Sequence, residues 1–274
     1  MPLSNRIVAV MHIKGPNLVK GIHLEGLRIL GHPEYFAQKY YEEGIDEIIY
    51  IDIVASLYGR NSLQDIIRRT TENIFIPVTV GGGIASVKDA MDVMSAGADK
   101  VAINTAAHKR PELITEIAER LGSQSVVAYI EARKGECMTD NAREKTGHLV
   151  ESWAREMVDR GAGELLMTSV ERDGTGGGFE SGLVENAKDL RVPVIFHGGF
   201  GKPEHGVSAF VSGADAIAVS SAFHYYYADR RAGGFLEGVP DFLHGKRDRE
   251  IAGCSIGEVK SAIKAAGFAV REVY

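Results

Sequence analysis

The chain has 274 residues, of which 45% are hydrophobic and 25% charged, with a formal net charge of -6. The acidic balance argues against nucleic acid as the main partner, and no apolar run approaches the roughly 20 residues that cross a bilayer. The first residues run straight into an apolar stretch without the charged start and cleavage site of a signal peptide, so a cytoplasmic location is expected.

Short β-branched runs alternate with amphipathic stretches along the chain. Strands are predicted at 7–12, 47–53, 77–80, 100–104, 125–131, 164–169, 193–197 and 216–220. Helical patterns lie between them, as at 33–43, 87–96, 111–121 and 149–160. Strands alternating with helices mean a parallel sheet, and eight such units predict a closed (β/α)8 TIM barrel. From Tyr225 to Cys254 the chain shows three tyrosines, then glycines, prolines and charges, with no clear periodic element. This stretch follows the eighth strand, so it is expected over the C-terminal mouth. Ser255 and Glu258 then form a capping-box pattern, and a last helix runs to Gly267. The whole chain, 1–274, reads as one domain with an extended loop at 225–254 and a terminal helix at 255–267.

The sequence repeats itself. Ile76-Pro77-Val78 followed by Gly82-Gly83 matches Val192-Pro193-Val194 followed by Gly198-Gly199, and Gly97-Ala98-Asp99 matches Gly213-Ala214-Asp215, both at an offset of 116. The segment 44–47 matches 161–164 at 117, and 7–14 matches 126–133 at 119. Constant order with small drift is the mark of two half-barrels of four units each.

Barrel active sites lie at the C-terminal strand ends. Two glycine turns fall there, Gly81-Gly82-Gly83 and Gly198-Gly199, each followed one unit later by small polar residues, Asn104-Thr105 and Ser220-Ser221. Glycine lets backbone N–H groups approach an anion closely, so each pair is a candidate phosphate cradle. Asp173-Gly174-Thr175 adds a carboxylate beside a further turn. His12 and Glu131 occupy matching ends of strands one and five, where a histidine and a carboxylate suit proton transfer. Arg6, Glu47, Lys100 and Glu164 sit at strand starts, the opposite end of the barrel. On spacing alone they read as a solvated rim of surface pairs. Cys137 and Cys254 lack the spacing of a disulfide framework or a metal site, and no metal or redox cofactor is expected.

Several of these runs carry a resemblance. Val19-Lys20-Gly21, Ile51-Asp52-Ile53, Thr79 to Ile84, Gly97 to Val101, Thr168-Ser169, Arg172 to Thr175, Gly198-Gly199, Pro203-Glu204-His205 and Phe223-His224 together resemble the cyclase subunit family of imidazole glycerol phosphate synthase. That family is a barrel of the ribulose-phosphate-binding type with two similar halves. The resemblance implies a glutaminase partner docked on the barrel floor near Asp99. It also implies ammonia entering through a charged gate of Arg6, Glu47, Lys100 and Glu164, and a phosphorylated substrate at the mouth. Gly83, Asn104 and Thr105 would hold one phosphate, and Gly174, Gly199, Ser220 and Ser221 the other. Asp52, Ser169, Asp173, His197 and Gly198 would complete the substrate site, and Lys20 would lie in a mobile loop closing over it.

The sequence departs from the family at the mouth. His12 and Glu131 stand where the family places two aspartates, the general acid and base of its reaction. His197 and Phe200 are bulkier than usual, the loop 132–145 is shorter, and 225–254 is longer. A kept gate with a changed mouth favours ammonia delivery to a different phosphorylated or nucleotide-sugar acceptor, as in cyclase-like proteins of surface polysaccharide synthesis. The alternatives are the histidine-pathway cyclase itself and a non-catalytic scaffold that activates its glutaminase. Glu131 either holds His12 protonated or acts as a base with His12 as the acid.

Overall fold

A computed structural model describes residues 4–55, 63–229 and 253–272. The first strand, β1 (Arg6–Lys14), turns back through an antiparallel hairpin, β2 (Asn17–Ile22) and β3 (Glu25–Gly31), before helix α1 (Pro33–Glu42). Plain strand–helix units follow: β4 (Glu47–Asp52) with α2 (Gln64–Thr71), β5 (Val78–Gly81) with α3 (Val87–Ser95), and β6 (Lys100–Ile103) with α4 (Thr105–Lys109) and α5 (Glu112–Leu121). The second half repeats the plan. β7 (Val126–Arg133) feeds a second hairpin, β8 (Glu136–Thr139) and β9 (Glu144–Leu149), and then α6 (Val150–Asp159). The remaining units are β10 (Glu164–Ser169) with α7 (Ser181–Glu185), β11 (Val194–His197) with α8 (Pro203–Val211), and β12 (Ala216–Val219) with α9 (Ser221–Asp229). Helix α10 (Ile256–Ala265) ends the fold.

Strands β1, β4, β5, β6, β7, β10, β11 and β12 pair in parallel in that order, and β12 pairs back to β1. The eight predicted strands are therefore the eight staves of a closed barrel. Alternate residues of each stave face opposite sides. Val8, Val10, Ile49, Val127, Leu166 and Ile195 fill the barrel interior as one cluster. Their neighbours Ile7, Ala9, Ile48, Val126 and Leu165 pack outward against the helices in another.

Local chemistry fixes the helix ends. The Ser86 hydroxyl accepts the Asp89 amide at 3.1 Å, starting α3. Ser255 and Glu258 form the expected reciprocal capping box of α10, and Lys260 of that helix ties it to the floor through Asp46 at 2.8 Å. The repeat is visible at the floor too: Asp99 accepts the Val78 amide at 2.8 Å, and its mate Asp215 accepts that of Val194 at 3.0 Å.

Two expectations change. Tyr225 to Tyr227 belong to α9 rather than to a loop, and residues 230–252 of the expected loop lie outside the described residues. The segments after strands one and five are not plain loops but matching hairpins, folded over the mouth.

Candidate active site

At the floor the four strand-start charges close a ring. Arg6 reaches Glu47 at 2.7 Å and Glu164 at 2.6 Å, while Lys100 reaches the same carboxylates at 3.2 and 2.8 Å. Both glutamates are buried and the two cations keep only partial exposure. The solvated rim read from spacing alone is thus corrected. The first residues of β1, β4, β6 and β10 meet at the floor of the barrel, so charges 41 to 158 positions apart in sequence become neighbours. Asp99 is exposed beside this ring, its carboxylate held by the Val78 amide. Phe75, next to the start of β5, is 79% exposed, and Val211, just before β12, is 71% exposed.

The mouth divides into two unlike halves. In the first, a cavity of about 330 Å³ is lined by Asp52, Gly82, Gly83, Asn104, Thr105 and Glu131, with Tyr129, Asn141, Lys109 and Arg110 at its edges. Gly82 has φ +96°, and a Cβ there would stand 2.3 Å from the Asp52 carbonyl oxygen, so the turn requires glycine. Asn104 donates to the Met138 carbonyl at 3.3 Å and leaves its own carbonyl oxygen without a partner among the described residues. Thr105 accepts the Asp140 amide at 3.1 Å.

Glu131 faces this cavity but is itself buried. Its carboxylate accepts the Ala142 amide at 2.7 Å from the tip of the β8–β9 hairpin. That tip is three successive left-handed residues, Asp140, Asn141 and Ala142, at φ 53°, 59° and 58°. Asp and Asn tolerate this region and alanine does not. The strained turn aims an amide at Glu131, and Asn141 donates to the Leu24 carbonyl at 3.0 Å, joining the two hairpin tips. Burial is the main influence on Glu131, and it raises the carboxyl to about 7 against the pull of Ala142 and Tyr129.

The second half is covered. The tip of the β2–β3 hairpin lies on the loop after β10: His23 donates its amide to the Asp173 carbonyl at 2.9 Å, and a Cβ on Gly174 would sit 2.4 Å from the Gly21 carbonyl oxygen. Lys20 is wholly buried and bonds both oxygens of Asp173 at 2.7 and 2.6 Å. It lies on β2 of the hairpin folded over this half of the mouth. Beneath it, His197 stands 3.0 Å from the Thr168 hydroxyl through Nδ1, and 3.1 Å from Ser220 Oγ through Nε2. Ser169 is hydrogen-bonded to Glu180. Gly198 (φ +103°) and Gly199 (φ +92°) make the second turn, and a Cβ on Gly199 would stand 2.0 Å from the Gly178 carbonyl oxygen. Ser221 opens α9 with a buried hydroxyl that has no partner among the described residues.

His12 lies in this second half. Its ring meets that of His197 edge-on at 5.9 Å, and its Nε2 has no partner among the described residues. Burial, then the neighbouring Lys20 ammonium, push it well below the ordinary histidine value. Burial lowers His197 to about 4 and His224 to about 3. For Asp173 burial acts upward, but Lys20, His197 and His12 outweigh it and hold the carboxyl at about 2. Glu131 is not among the groups acting on His12. Glu131 faces the open cavity, whereas the charged and aromatic groups that act on His12 are Lys20, Asp173, His197 and His224.

Sequence reasoning missed Tyr129, Asn141, Lys109 and Arg110 at the cavity. Lys109 and Arg110 follow the Asn104-Thr105 pair directly, so their position was available. Tyr129 shares the inward face with Glu131 two residues on, a period-2 signal that reads equally well as core. No described group of three or more histidines, cysteines or carboxylates is arranged to hold a metal ion. No described helix is long and apolar enough to cross a membrane.

The fold and site define a (β/α)8 barrel with glycine turns at its mouth and a closed ion ring at its floor. Residues 6–229 match the family described as histidine biosynthesis protein, and the chain belongs to that family. Among similar proteins, the imidazole glycerol phosphate synthase subunit HisF of Legionella pneumophila is 55% identical over 209 residues, covering 74% of this chain and 99% of that one. The HisF subunit of Thermotoga sp. (strain RQ2) is 43% identical over 234 residues, 84% of this chain and 92% of its own. That of Pyrococcus furiosus is 42% identical over 246 residues, 87% and 98% of the respective chains.

Proposed function

We propose that this chain is the cyclase-type subunit of imidazole glycerol phosphate synthase, taking ammonia from a glutaminase at the floor and adding it to a phosphorylated acceptor at the mouth. The observation that carries this reading is the coaxial pairing of the closed Arg6–Glu47–Lys100–Glu164 ring with the glycine turns above it. The shared name of the relatives supports the acceptor. The exposed Phe75 and Val211 offer apolar surface of the kind a partner subunit buries.

At the mouth, the Gly82-Gly83 turn with Asn104 and Thr105 would hold one phosphate. Gly174, Gly199 and Ser221 would hold a second once the β2–β3 hairpin lifts. Glu131, titrating near 7, is placed to give and take protons at neutral pH, where general acid–base groups work best. His12 is neutral there and serves as an uncharged polar contact. The four ring charges would part, or lose one ion pair, to pass a neutral molecule.

A second reading keeps the ammonia path and changes the acceptor to a modified sugar. One observation favours it: β1 contributes no carboxylate to the mouth, only the neutral His12. The relatives named above are all imidazole glycerol phosphate synthase subunits, and they favour the first reading.

The deciding assay supplies the purified chain with ammonium salt and the phosphorylated precursor of imidazole glycerol phosphate. Product formation, reduced about 100-fold or more in Glu131→Gln, supports the first reading. Absence of that product with intact glutaminase stimulation supports the second. Product formation indifferent to both His12→Ala and Glu131→Gln means the barrel mouth is not where the chemistry occurs.

A further inference from the structure

The arginine of the ion ring is held by its backbone as well as by its carboxylate partners. Arg6 is the first residue of β1, and the amides on either side of it are both pinned. The Asn5 amide donates to the Ala269 carbonyl at 2.8 Å, and Asn5 pairs in parallel with Val270 as a single bridge. The Ile7 amide donates to Asp46 Oδ2 at 2.8 Å. The first residues of a strand fray unless something ties them down. Here both ties lead to the same helix. Ala269 and Val270 follow α10, and Lys260 of α10 places its ammonium 2.8 Å from Asp46 Oδ1. The same ammonium donates to the Arg271 carbonyl at 2.9 Å. One lysine therefore joins the segment that pins Asn5 to the carboxylate that pins Ile7. The side chains of Lys260 and Asp46 keep only 8% and 7% exposure, so water competes weakly for these bonds. The Arg271 guanidinium, 4.0 Å from Asp46 and largely exposed, adds little.

The internal repeat shows what has been added. The Asp46 amide donates to the Ile7 carbonyl at 3.1 Å, and in the second half its mate Gly163 donates to the carbonyl of Val126, the mate of Ile7, at 3.0 Å. That backbone link is common to both halves. The carboxylate is not, because glycine stands at 163 and a Cβ there would lie 2.3 Å from the Ser123 carbonyl oxygen. The mate of Arg6 is Ser125, which carries no charge. The side-chain clamp thus accompanies the ring arginine.

Arg6 spans both glutamates, reaching Glu47 through Nη1 and Glu164 through Nη2. A planar guanidinium that bridges two carboxylates depends on the angle from which it arrives, and that angle is set by the start of β1.

We propose that Asp46 and Lys260 are positioning residues for Arg6: through them α10 clamps the start of β1 and fixes how the Arg6 guanidinium closes the ion ring. The proposal rests on reading the ring as the entry for ammonia, and adds that the last helix, not only the ring's own members, governs that entry. Loosening the clamp leaves the mouth as it is and lets Arg6 shift at the floor, so it costs nitrogen arriving from glutamine and spares ammonia arriving from solvent.

The test uses the complex of the full chain with a glutaminase subunit. Lys260→Met alone strands the Asp46 carboxylate, so the informative variant is Lys260→Met with Asp46→Asn. It removes the buried charge, keeps an oxygen for the Ile7 amide and cuts the link to α10. Its glutamine-driven turnover is expected to fall about tenfold while ammonium-driven turnover stays within about twofold of the wild type. In an Arg6→Met background the same two changes add no further loss to the glutamine-driven rate, because the side chain they position is gone. Parallel loss of both activities overturns the proposal, as does a loss that persists undiminished without Arg6. A second measurement is independent of the passage: NMR of the arginine-labelled chain should show the Arg6 guanidinium hydrogens exchanging with solvent about tenfold faster or more in the double variant. Unchanged exchange overturns the proposal equally. A wild-type complex that passes no nitrogen from glutamine defeats the reading of the ring as an entry, and the Arg6 exchange still decides whether the clamp positions the side chain.

Discussion

Lys20 places its ammonium against both carboxylate oxygens of Asp173, at 2.7 and 2.6 Å, with the two side chains wholly buried. One residue belongs to the hairpin after the first strand and the other to the loop after the sixth. The pair therefore fastens the β2–β3 hairpin across the covered half of the mouth. Removing one partner strands the other charge in a medium that cannot solvate it. Lys20→Met is expected to destabilise the chain by about 3–5 kcal/mol. Lys20→Met combined with Asp173→Asn should recover much of that loss. A double-mutant cycle by denaturant unfolding checks it, and simple additivity of the two single changes would refute the coupling.

Glu131 gives a pH signature of the opposite sense. Its folded carboxyl is raised from 4.5 to about 7. Between those values the folded chain binds the extra proton, so this group's contribution to stability is full below about 4.5, falls as pH rises, and levels off above about 7. Glu131→Gln removes the dependence. The variant should match the wild type near pH 4.5 and exceed it at pH 8 by on the order of 2–3 kcal/mol. Urea unfolding at the two pH values reads this directly, and equal differences at both would count against a buried, raised carboxyl.

Asp173 runs the other way. Its carboxyl is depressed from 3.8 to about 2, so the stability it contributes is present above about pH 3.8 and is lost as pH falls through about 2. Acid unfolding of Asp173→Asn should begin from a lower starting stability and show a weaker dependence over that interval. An unchanged acid limb would contradict the pairing with Lys20.

The barrel was legible in the sequence because its signals are local and repeated. Eight β-branched runs such as 47–53 and 164–169 each became one stave, and Ser255 with Glu258 marked a helix start that the fold uses. The two hairpins were not legible. Their tips use His23, Leu24, Asp140, Asn141 and Ala142 at positive φ, and contacts with the opposite hairpin, rather than glycine, hold them there. For the same reason the sequence placed Lys20 and Asp173 in the site without pairing them, since 153 positions separate them. The ion ring lay between these cases. Its members were visible as strand-start charges, but only barrel closure brings Arg6 to Glu164.

The second glycine turn makes a steric prediction. Gly199→Ala would set its Cβ 2.0 Å from the Gly178 carbonyl oxygen at a φ of +92°. A backbone contact cannot rotate away as a side chain can. The variant should lose about 3 kcal/mol or more, at the high end for a single substitution. Gly213→Ala, also at positive φ but with open space around it, should lose less. Thermal unfolding of the two variants side by side separates crowding from backbone conformation, and equal losses would show that φ alone decides.

The ring at the floor should matter more for glutamine than for free ammonia. Lys100→Met leaves Glu47 and Glu164 with Arg6 alone. In the complex with a glutaminase subunit, glutamine-driven turnover is expected to fall about tenfold or more while turnover driven by excess ammonium salt changes little, since solvent ammonia reaches the mouth directly. Parallel loss of both activities would place Lys100 in the chemistry instead of the passage.

The floor-to-mouth path is tested most directly by isotope competition. The complex of this chain with a glutaminase subunit is given glutamine labelled with nitrogen-15 in its amide, the phosphorylated precursor, and excess unlabelled ammonium. The account predicts imidazole glycerol phosphate that retains the glutamine label despite the surrounding pool. Product whose nitrogen matches the bulk ammonium, or no such product at all, would contradict it.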